Sequence, residues 1–342
     1  MSSAVLPDRL RASEEAAAEP EDGIAPAPLV DAAPVRVIYI AGYGRSGTTL
    51  LDIALGQHPA VMGGGEIATL ARHVWPNDEY CACGAPAQSC PMWRGIVEDW
   101  SEDEEPTLIE DYRRAQERTE TIFGLGRLLE RSRSTLHASR SAKLFKSIAA
   151  RSGSTVVVDS SKLPGRAFAL AKTPGITLIV VHVVRDPRGV AWSLKKGYKR
   201  QVDVGIQREL LPKPLLYTAL RWIVVNLATE RLCRQVGSHR SVRIKYEDFV
   251  ADTRGTVRRI LALVDPEMAA QSLDMAASSI SPQHQVAGSR HRMQSKIVVG
   301  RDEHWKETMP RFQRWLVTLA CAPLLARYGY ALRTIEPKGR ET

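Results

Sequence analysis

Gly42-Tyr43-Gly44-Arg45-Ser46-Gly47-Thr48-Thr49 follows the apolar run Val35-Arg36-Val37-Ile38-Tyr39-Ile40-Ala41. A β-branched run that breaks into Gly-x-Gly predicts a buried strand entering a tight turn. Leu50-Leu51-Asp52-Ile53-Ala54-Leu55 continues with helical spacing, so Gly47 to Thr49 open a helix. Unpaired N–H groups and the positive end of the helix dipole favour an anion there. A Walker loop has Gly, four residues, then Gly-Lys-Ser/Thr. Gly42, Gly47 and Thr49 keep that spacing, but Thr48 stands where the lysine would reach the terminal phosphates of a triphosphate. Arg45 supplies a forked cation two residues before the second glycine, and Ser46, Thr48 and Thr49 add hydroxyl donors. The loop suits a phosphate-like anion other than the end of ATP.

The rest of the chain repeats the strand–loop–helix theme. Thr155 to Asp159, Ile176 to Val184 and Val242 to Tyr246 read as short apolar strands. Helical spacing runs from Glu66 to Val74, from about Thr107 to Ser134, from Leu136 to Ala150, and from Arg166 to Lys172. It returns from Pro187 to about Tyr198, from Pro214 to Gln235, and from the strand at Val242 onward to Leu263. Pro187 stands at the favoured first position of its helix. Apolar strands alternating with helices predict an α/β fold, a P-loop-type parallel sheet flanked by helices on both faces. Ligands of such sheets lie beyond the carboxyl ends of the strands, so the loops after Ala41, Val158, Val184 and Tyr246 should face one site.

The 342 residues carry 44% hydrophobic and 25% charged side chains, ordinary for a globular protein. A formal charge of +9 suits anionic ligands. Residues 1–34 differ: seven acids face two arginines, amid Ala and Pro, which predicts a disordered acidic tail. Residues 35–335 then form one domain and 336–342 a flexible end. The tail lacks the basic start and apolar stretch of a signal peptide, and no run is long enough to span a bilayer, so a cytoplasmic protein is expected. Five cysteines fit a reducing compartment. Cys81, Cys83 and Cys90 cluster in sequence, and three readings stay open: a zinc site with a fourth ligand such as His73, a local disulfide, or free thiols.

After the strand ending at Val184 comes Arg185-Asp186-Pro187-Arg188-Gly189-Val190-Ala191-Trp192-Ser193. Arg185 at a strand end and Ser193 two turns into the following helix can converge on a second anion, although the motif alone also suits a structural corner. With both motifs present, the chain resembles the sulfotransferases that use 3′-phosphoadenosine-5′-phosphosulfate (PAPS). The resemblance covers about Val35 to Ala331. It implies that Arg45, Ser46, Gly47, Thr48 and Thr49 hold the 5′-phosphosulfate and that Arg185 and Ser193 hold the 3′-phosphate. No γ-phosphate is present to need the Walker lysine. Tyr246-Glu247-Asp248-Phe249 resembles a segment whose tyrosine lies near the nucleotide, and Val286 to Arg292 occupies the place of a further binding loop. From that loop Arg292 and Ser289 are carried over, although Ser289, Arg290 and His291 depart from the family pattern. Asp302-Glu303-His304-Trp305 resembles a closing segment with a structural tryptophan.

The resemblance implies sulfonyl transfer from PAPS to an acceptor hydroxyl, with no metal in the reaction. Arg45 and Lys162, which follows the strand ending near Asp159, are expected to stabilise the transferring group. The base is a carboxylate or histidine near the loop. Glu66, after Gly63-Gly64-Gly65, is the first choice, by analogy with tyrosylprotein- and carbohydrate-type members; His58 and His182 compete with it. The acceptor is expected to be a carbohydrate or small metabolite, anionic or neutral, with no nucleic acid partner. An ATP-dependent P-loop kinase is one alternative. A non-catalytic nucleotide- or polyanion-binding module, drawing on Lys195, Lys196, Lys199 and Arg200, is another.

Overall fold

The computed structural model describes residues 33–101, 107–120, 135–197, 199–200, 207–271 and 279–332. The acidic tail, the second half of the helix expected from Thr107 to Ser134, and the C-terminal residues from 333 onward lie outside them. Five parallel strands form the central sheet: β1 (Val35–Gly42), β2 (Val61–Gly63), β3 (Val156–Lys162), β4 (Ile176–Val184) and β5 (Ser241–Lys245). Their order is β2-β3-β1-β4-β5. The α/β, P-loop-type fold expected from the sequence is the fold observed.

The reason for the all-apolar strands is visible in their side chains. Val37, Tyr39 and Ala41 of β1 pack into one core, whereas Ile38 and Ile40 pack into another on the opposite face. Leu178 and Val180 of β4 join the first core, and Ile179, Val181 and Val183 join the second. Alternate residues of a strand point to opposite faces, so a sheet covered on both is apolar along most of each strand.

Helix α1 (Thr48–Leu55) follows the phosphate-type loop and covers the second face, inserting Leu51, Ile53 and Leu55. The first face is covered by α2 (Pro91–Ser101), α3 (Leu108–Thr119), α4 (Thr135–Ser152) and α5 (Pro164–Leu170), whose anchors include Trp93, Trp100, Tyr112, Phe145 and Phe168. Helices α6 (Pro187–Lys196) and α7 (Leu215–Val236) follow β4. After β5 come α8 (Tyr246–Ala251), α9 (Thr253–Val264) and α10 (Pro266–Ala270). The chain closes with α11 (Trp305–Thr308) and α12 (Arg311–Arg327), which builds a third apolar cluster with α6 and α7.

Three local features differ from the sequence reading. The three-residue β2 was not anticipated; it is too short for a period and exists because it pairs with Val156 to Val158. Glu66 to Val74 is not one regular helix but a 3₁₀ turn (Ile67–Thr69) running into a wider π turn (Leu70–Val74). Tyr246 opens α8 rather than ending the strand.

Candidate active site

The turn after β1 is dictated by close approach. A Cβ at Gly42 would lie 2.2 Å from the Val183 carbonyl oxygen, so β1 can leave the sheet only as glycine. Gly47 caps α1 at φ 83, and a Cβ there would lie 2.5 Å from the Tyr246 ring. Arg45 itself holds a positive φ of 69. A non-glycine residue in that region is uncommon and marks a loop fixed by its surroundings. Ser46 is fully buried, and its Oγ is one of the buried side-chain oxygens without a hydrogen-bond partner among the described residues. Such an orphan hydroxyl at a helix start fits a bound anion.

All five strand ends deliver groups to one cleft of about 840 Å³. β1 gives Arg45, Gly47, Thr48 and Thr49, β2 leads to Glu66, and β3 gives Lys162. β4 gives Arg185 and β5 leads to Tyr246, while a strap through Gly288, Ser289 and His291 closes another side. Strand order reverses at β1, which lies between β3 and β4, and the cleft opens at that switch point.

Two clusters stand within the cleft. In the first, Arg45 Nε donates to Ser193 Oγ at 3.0 Å. Arg185 Nη1 donates to the Arg45 carbonyl oxygen at 2.9 Å, and its Nη2 donates to Asp302 Oδ2 at 2.9 Å. The Arg185 guanidinium lies 4.4 Å from the Tyr246 ring centroid, and the Tyr246 hydroxyl donates to the Gly300 carbonyl at 3.2 Å. Burial raises the carboxyl pKa of Asp302, but the hydrogen bond and charge of Arg185, with the charge of Arg45, outweigh it and leave the group below its usual range. Burial pushes the Tyr246 phenol up, against the lowering effect of Arg185.

In the second cluster, Lys162 Nζ donates to Glu66 Oε1 and, at 3.0 Å, to the Ser160 carbonyl. Lys162 holds φ 65 at the end of β3. Glu66 is held from behind. Its N–H donates to the Val286 carbonyl at 2.9 Å, and the preceding Gly65 N–H donates to Asp52 Oδ2 at 3.0 Å. Asp52 is fully buried, and burial raises its carboxyl to about 7 despite lowering hydrogen bonds from Ser160 and Gly65. A Cβ on Gly288 would sit 3.3 Å from Glu66 Oε1 and 3.0 Å from Thr49 Oγ1, so the strap lies close over both. Ser289 N–H donates to Thr49 Oγ1 at 3.3 Å.

The structure thus gathers Glu66, Lys162, Arg45, Thr48, Thr49, Arg185, Tyr246 and Ser289 at one cleft, with Ser193 joined through Arg45. Arg292 is buried in the short helix Arg290–Met293. His182 is a core residue: it pairs with Asn226 Oδ1 at 2.8 Å, and burial lowers it to about 4. His58 is also fully buried, with Nδ1 accepting from the Ala60 N–H at 3.1 Å. Trp305 is buried under the Arg188 guanidinium, 5.1 Å from its ring centroid. Asp302, which binds Arg185, was not singled out in the sequence, although it begins the segment that carries Trp305. Asp52 was hidden as one acid within a helical run. Lys213 and Arg221, on the wall of the cleft, carried no motif at all.

A family model described as "Sulfotransferase family" matches residues 37–269. No curated protein sequence matches the chain. Among solved structures, the sulfotransferase domain from the curacin biosynthetic pathway is 16% identical with a TM-score of 0.49; the match covers 88% of this chain and 100% of that one. The sulfotransferase domain of the Synechococcus PCC 7002 olefin synthase is 18% identical with a TM-score of 0.46, covering 88% and 97%. Sulfotransferase STF9 from Mycobacterium avium is 14% identical with a TM-score of 0.47, covering 89% and 80%.

Proposed function

The chain belongs to the sulfotransferase family, the PAPS-dependent enzymes of sulfonyl transfer, and from that premise we propose that its cleft moves the sulfonyl group of PAPS onto the hydroxyl of a small metabolite or carbohydrate. The observation that carries the reading is the division of one cleft into an arginine–serine corner and a lysine–glutamate corner, joined by the loop Gly42 to Thr49. PAPS needs two anion sites, and the residues fit it: Arg185 and Ser193 for the 3′-phosphate, and the N–H groups and hydroxyls of Ser46 to Thr49 for the 5′-phosphosulfate. PAPS supplies an activated sulfonyl group whose leaving group is a phosphate.

Glu66 takes the proton of the acceptor hydroxyl as that oxygen attacks sulfur. The bond from sulfur to the 5′-phosphate oxygen breaks, and adenosine 3′,5′-bisphosphate leaves with the electron pair. Lys162, already hydrogen-bonded to Glu66, stands where it can neutralise charge on the sulfonyl oxygens. Arg45 donates to Ser193 in this structure, so its part on the transferring group requires it to exchange that hydroxyl for the phosphosulfate. Positioning and fixed charge do the work, and no metal enters the step.

The cleft volume lies within the range of about 300–1,000 Å³ of small-molecule sites. Leu194, Leu210 and Val225 make part of its wall apolar, and Lys213 and Arg221 add two cations that favour an acceptor carrying its own negative charge. Incubation with ³⁵S-labelled PAPS and panels of hydroxyl-bearing metabolites and oligosaccharides tests this. Release of adenosine 3′,5′-bisphosphate that depends on acceptor and not on added Mg²⁺ is expected. Phosphoryl transfer from Mg²⁺–ATP in the same panel would replace this reading with that of a kinase.

A further inference from the structure

Behind Glu66, outside the cleft, Cys81, Cys83 and Cys90 meet His284, brought from about 200 residues away in the chain. Their four ligand atoms all lie within 4.8 Å of one another. Cys83 Sγ is 3.7 Å from Cys90 Sγ, and His284 Nδ1 is 3.6 Å from Cys81 Sγ and 3.5 Å from Cys90 Sγ. A tetrahedral zinc ion, with Zn–S of about 2.3 Å and Zn–N of about 2.0–2.1 Å, needs edges of about 3.8 Å between sulfurs and about 3.5–3.6 Å between sulfur and nitrogen. A disulfide needs its sulfurs at about 2.05 Å. These three separations match the edges of a tetrahedral site. His73, the ligand considered from sequence, is elsewhere: its Nδ1 lies 2.9 Å from Glu79 Oε1.

We propose that Cys81, Cys83, Cys90 and His284 bind one structural Zn²⁺. The backbone is shaped for it. Cys81 N–H donates to the Ala85 carbonyl at 2.8 Å and Gly84 N–H to the Cys81 carbonyl at 3.0 Å, which folds the Cys-x-Cys pair into a tight turn. Gly84 supplies φ 89 in that turn. Cys90 immediately precedes α2, and Trp93 of that helix donates from Nε1 to the His284 carbonyl at 2.7 Å. Three thiols lose their protons on binding, no redox step is involved, and the four protein ligands close the coordination sphere, as in structural rather than catalytic zinc sites.

The ion would also tie the catalytic strap to the body of the protein. From His284 the chain runs directly into Gln285, whose carbonyl accepts from Ala82 N–H at 3.0 Å. Next comes Val286, which exchanges hydrogen bonds with Gly64 and Glu66, and then Gly288 against Glu66 itself. Zinc thus positions Glu66 through the strap without touching the reactants.

Metal content tests the site independently of sulfonyl transfer. The full-length chain, expressed in zinc-supplemented medium and purified under reducing conditions, is expected to hold about one Zn²⁺ per molecule by mass spectrometric metal analysis. Cys83→Ser is the main variant because Cys83 is exposed, so its loss should leave the fold intact by circular dichroism while the bound zinc is lost. His284→Ala should lose it too, whereas Cys233→Ser should keep it. Co²⁺ in place of zinc should give the intense visible bands of a tetrahedral thiolate site. Wild-type protein that takes up no Zn²⁺ on titration, a Cys83→Ser variant with unchanged zinc, or weak octahedral cobalt bands would each overturn the proposal. Sulfonyl transfer at an unchanged rate by zinc-free protein would overturn the positioning of Glu66 by the metal and leave the proposed activity standing.

Discussion

Lys162 donates a hydrogen bond to Glu66 although 96 residues separate them in the chain. They meet because β3, which ends at Lys162, pairs with β2, whose chain leads within three residues to Glu66. The proposed base and the proposed cation are thereby set side by side at the carboxyl edge of the sheet. Glu66→Gln keeps the size and the hydrogen-bond acceptor but cannot take a proton. It is expected to lower kcat on the order of 10²–10⁴-fold with nucleotide affinity nearly unchanged. Rapid-quench kinetics alongside calorimetry of adenosine 3′,5′-bisphosphate would separate the two; a wild-type rate would remove Glu66 as base.

Lys162→Met preserves the stem and removes the charge. With the lysine in its proposed place on the transferring group, the loss should fall on kcat, on the order of 10²–10³-fold. If KM for PAPS rose instead while kcat held, Lys162 would be a ground-state binding residue.

Arg185 holds the Arg45 carbonyl, Asp302 and the Tyr246 face at once, so Arg185→Lys cannot replace it. Affinity for adenosine 3′,5′-bisphosphate should fall by roughly 10-fold or more in both Arg185→Lys and Arg185→Ala, in line with a lost charged hydrogen bond. Adenosine 5′-monophosphate, lacking the 3′-phosphate, should bind all three proteins with similar weakness. Equal loss for both nucleotides would place Arg185 elsewhere than at the 3′-phosphate.

Gly47→Ala combines a positive φ with a methyl group against the Tyr246 ring. Left-handed strain alone costs about 1–3 kcal/mol, and the contact adds to it. Chemical denaturation should show that loss, and Tyr246→Ala in the same chain should recover only the contact part. Full recovery would show that the backbone angle is not strained.

Asp52 gives the stability curve a slope. Its carboxyl is raised from 3.8 to about 7 by burial, so the native state holds the proton more tightly than the unfolded chain. The protonated form's contribution is complete below the unfolded pKa, declines as pH rises from about 4 to about 7, and is gone above that. The size is on the order of a few kcal/mol. Asp52→Asn retains an acceptor for the Gly65 N–H and should flatten the slope between these pH values in urea titrations. An unaltered slope would mean that Asp52 is ionised throughout.

Much of this site could be read without coordinates because its parts are local. The loop Gly42 to Thr49 carries its own glycines, hydroxyls and helix start. Arg185 and Ser193 lie on one strand end and one helix, where spacing fixes direction. Apolar runs such as Ile176 to Val184 announce a sheet covered on both faces, and both cores are there. Glu66 and Lys162 were named singly, but nothing in either segment says that they touch. Asp302 on Arg185 and the strap at Gly288 depend on contacts across more than 100 residues, which leave no periodic trace.

The division has a physical basis. The sequence alone determined the backbone conformations that glycine, proline and apolar alternation enforce, and with them the parallel sheet, the anion loop and the α/β class. Tertiary structure decided which distant groups share a volume. It set Arg45 on Ser193 and Lys162 on Glu66, and gave the three cysteines His284 instead of the nearer His73. Local propensity acts over one or two turns of chain, whereas these choices follow from how whole elements pack once both faces of the sheet must be buried.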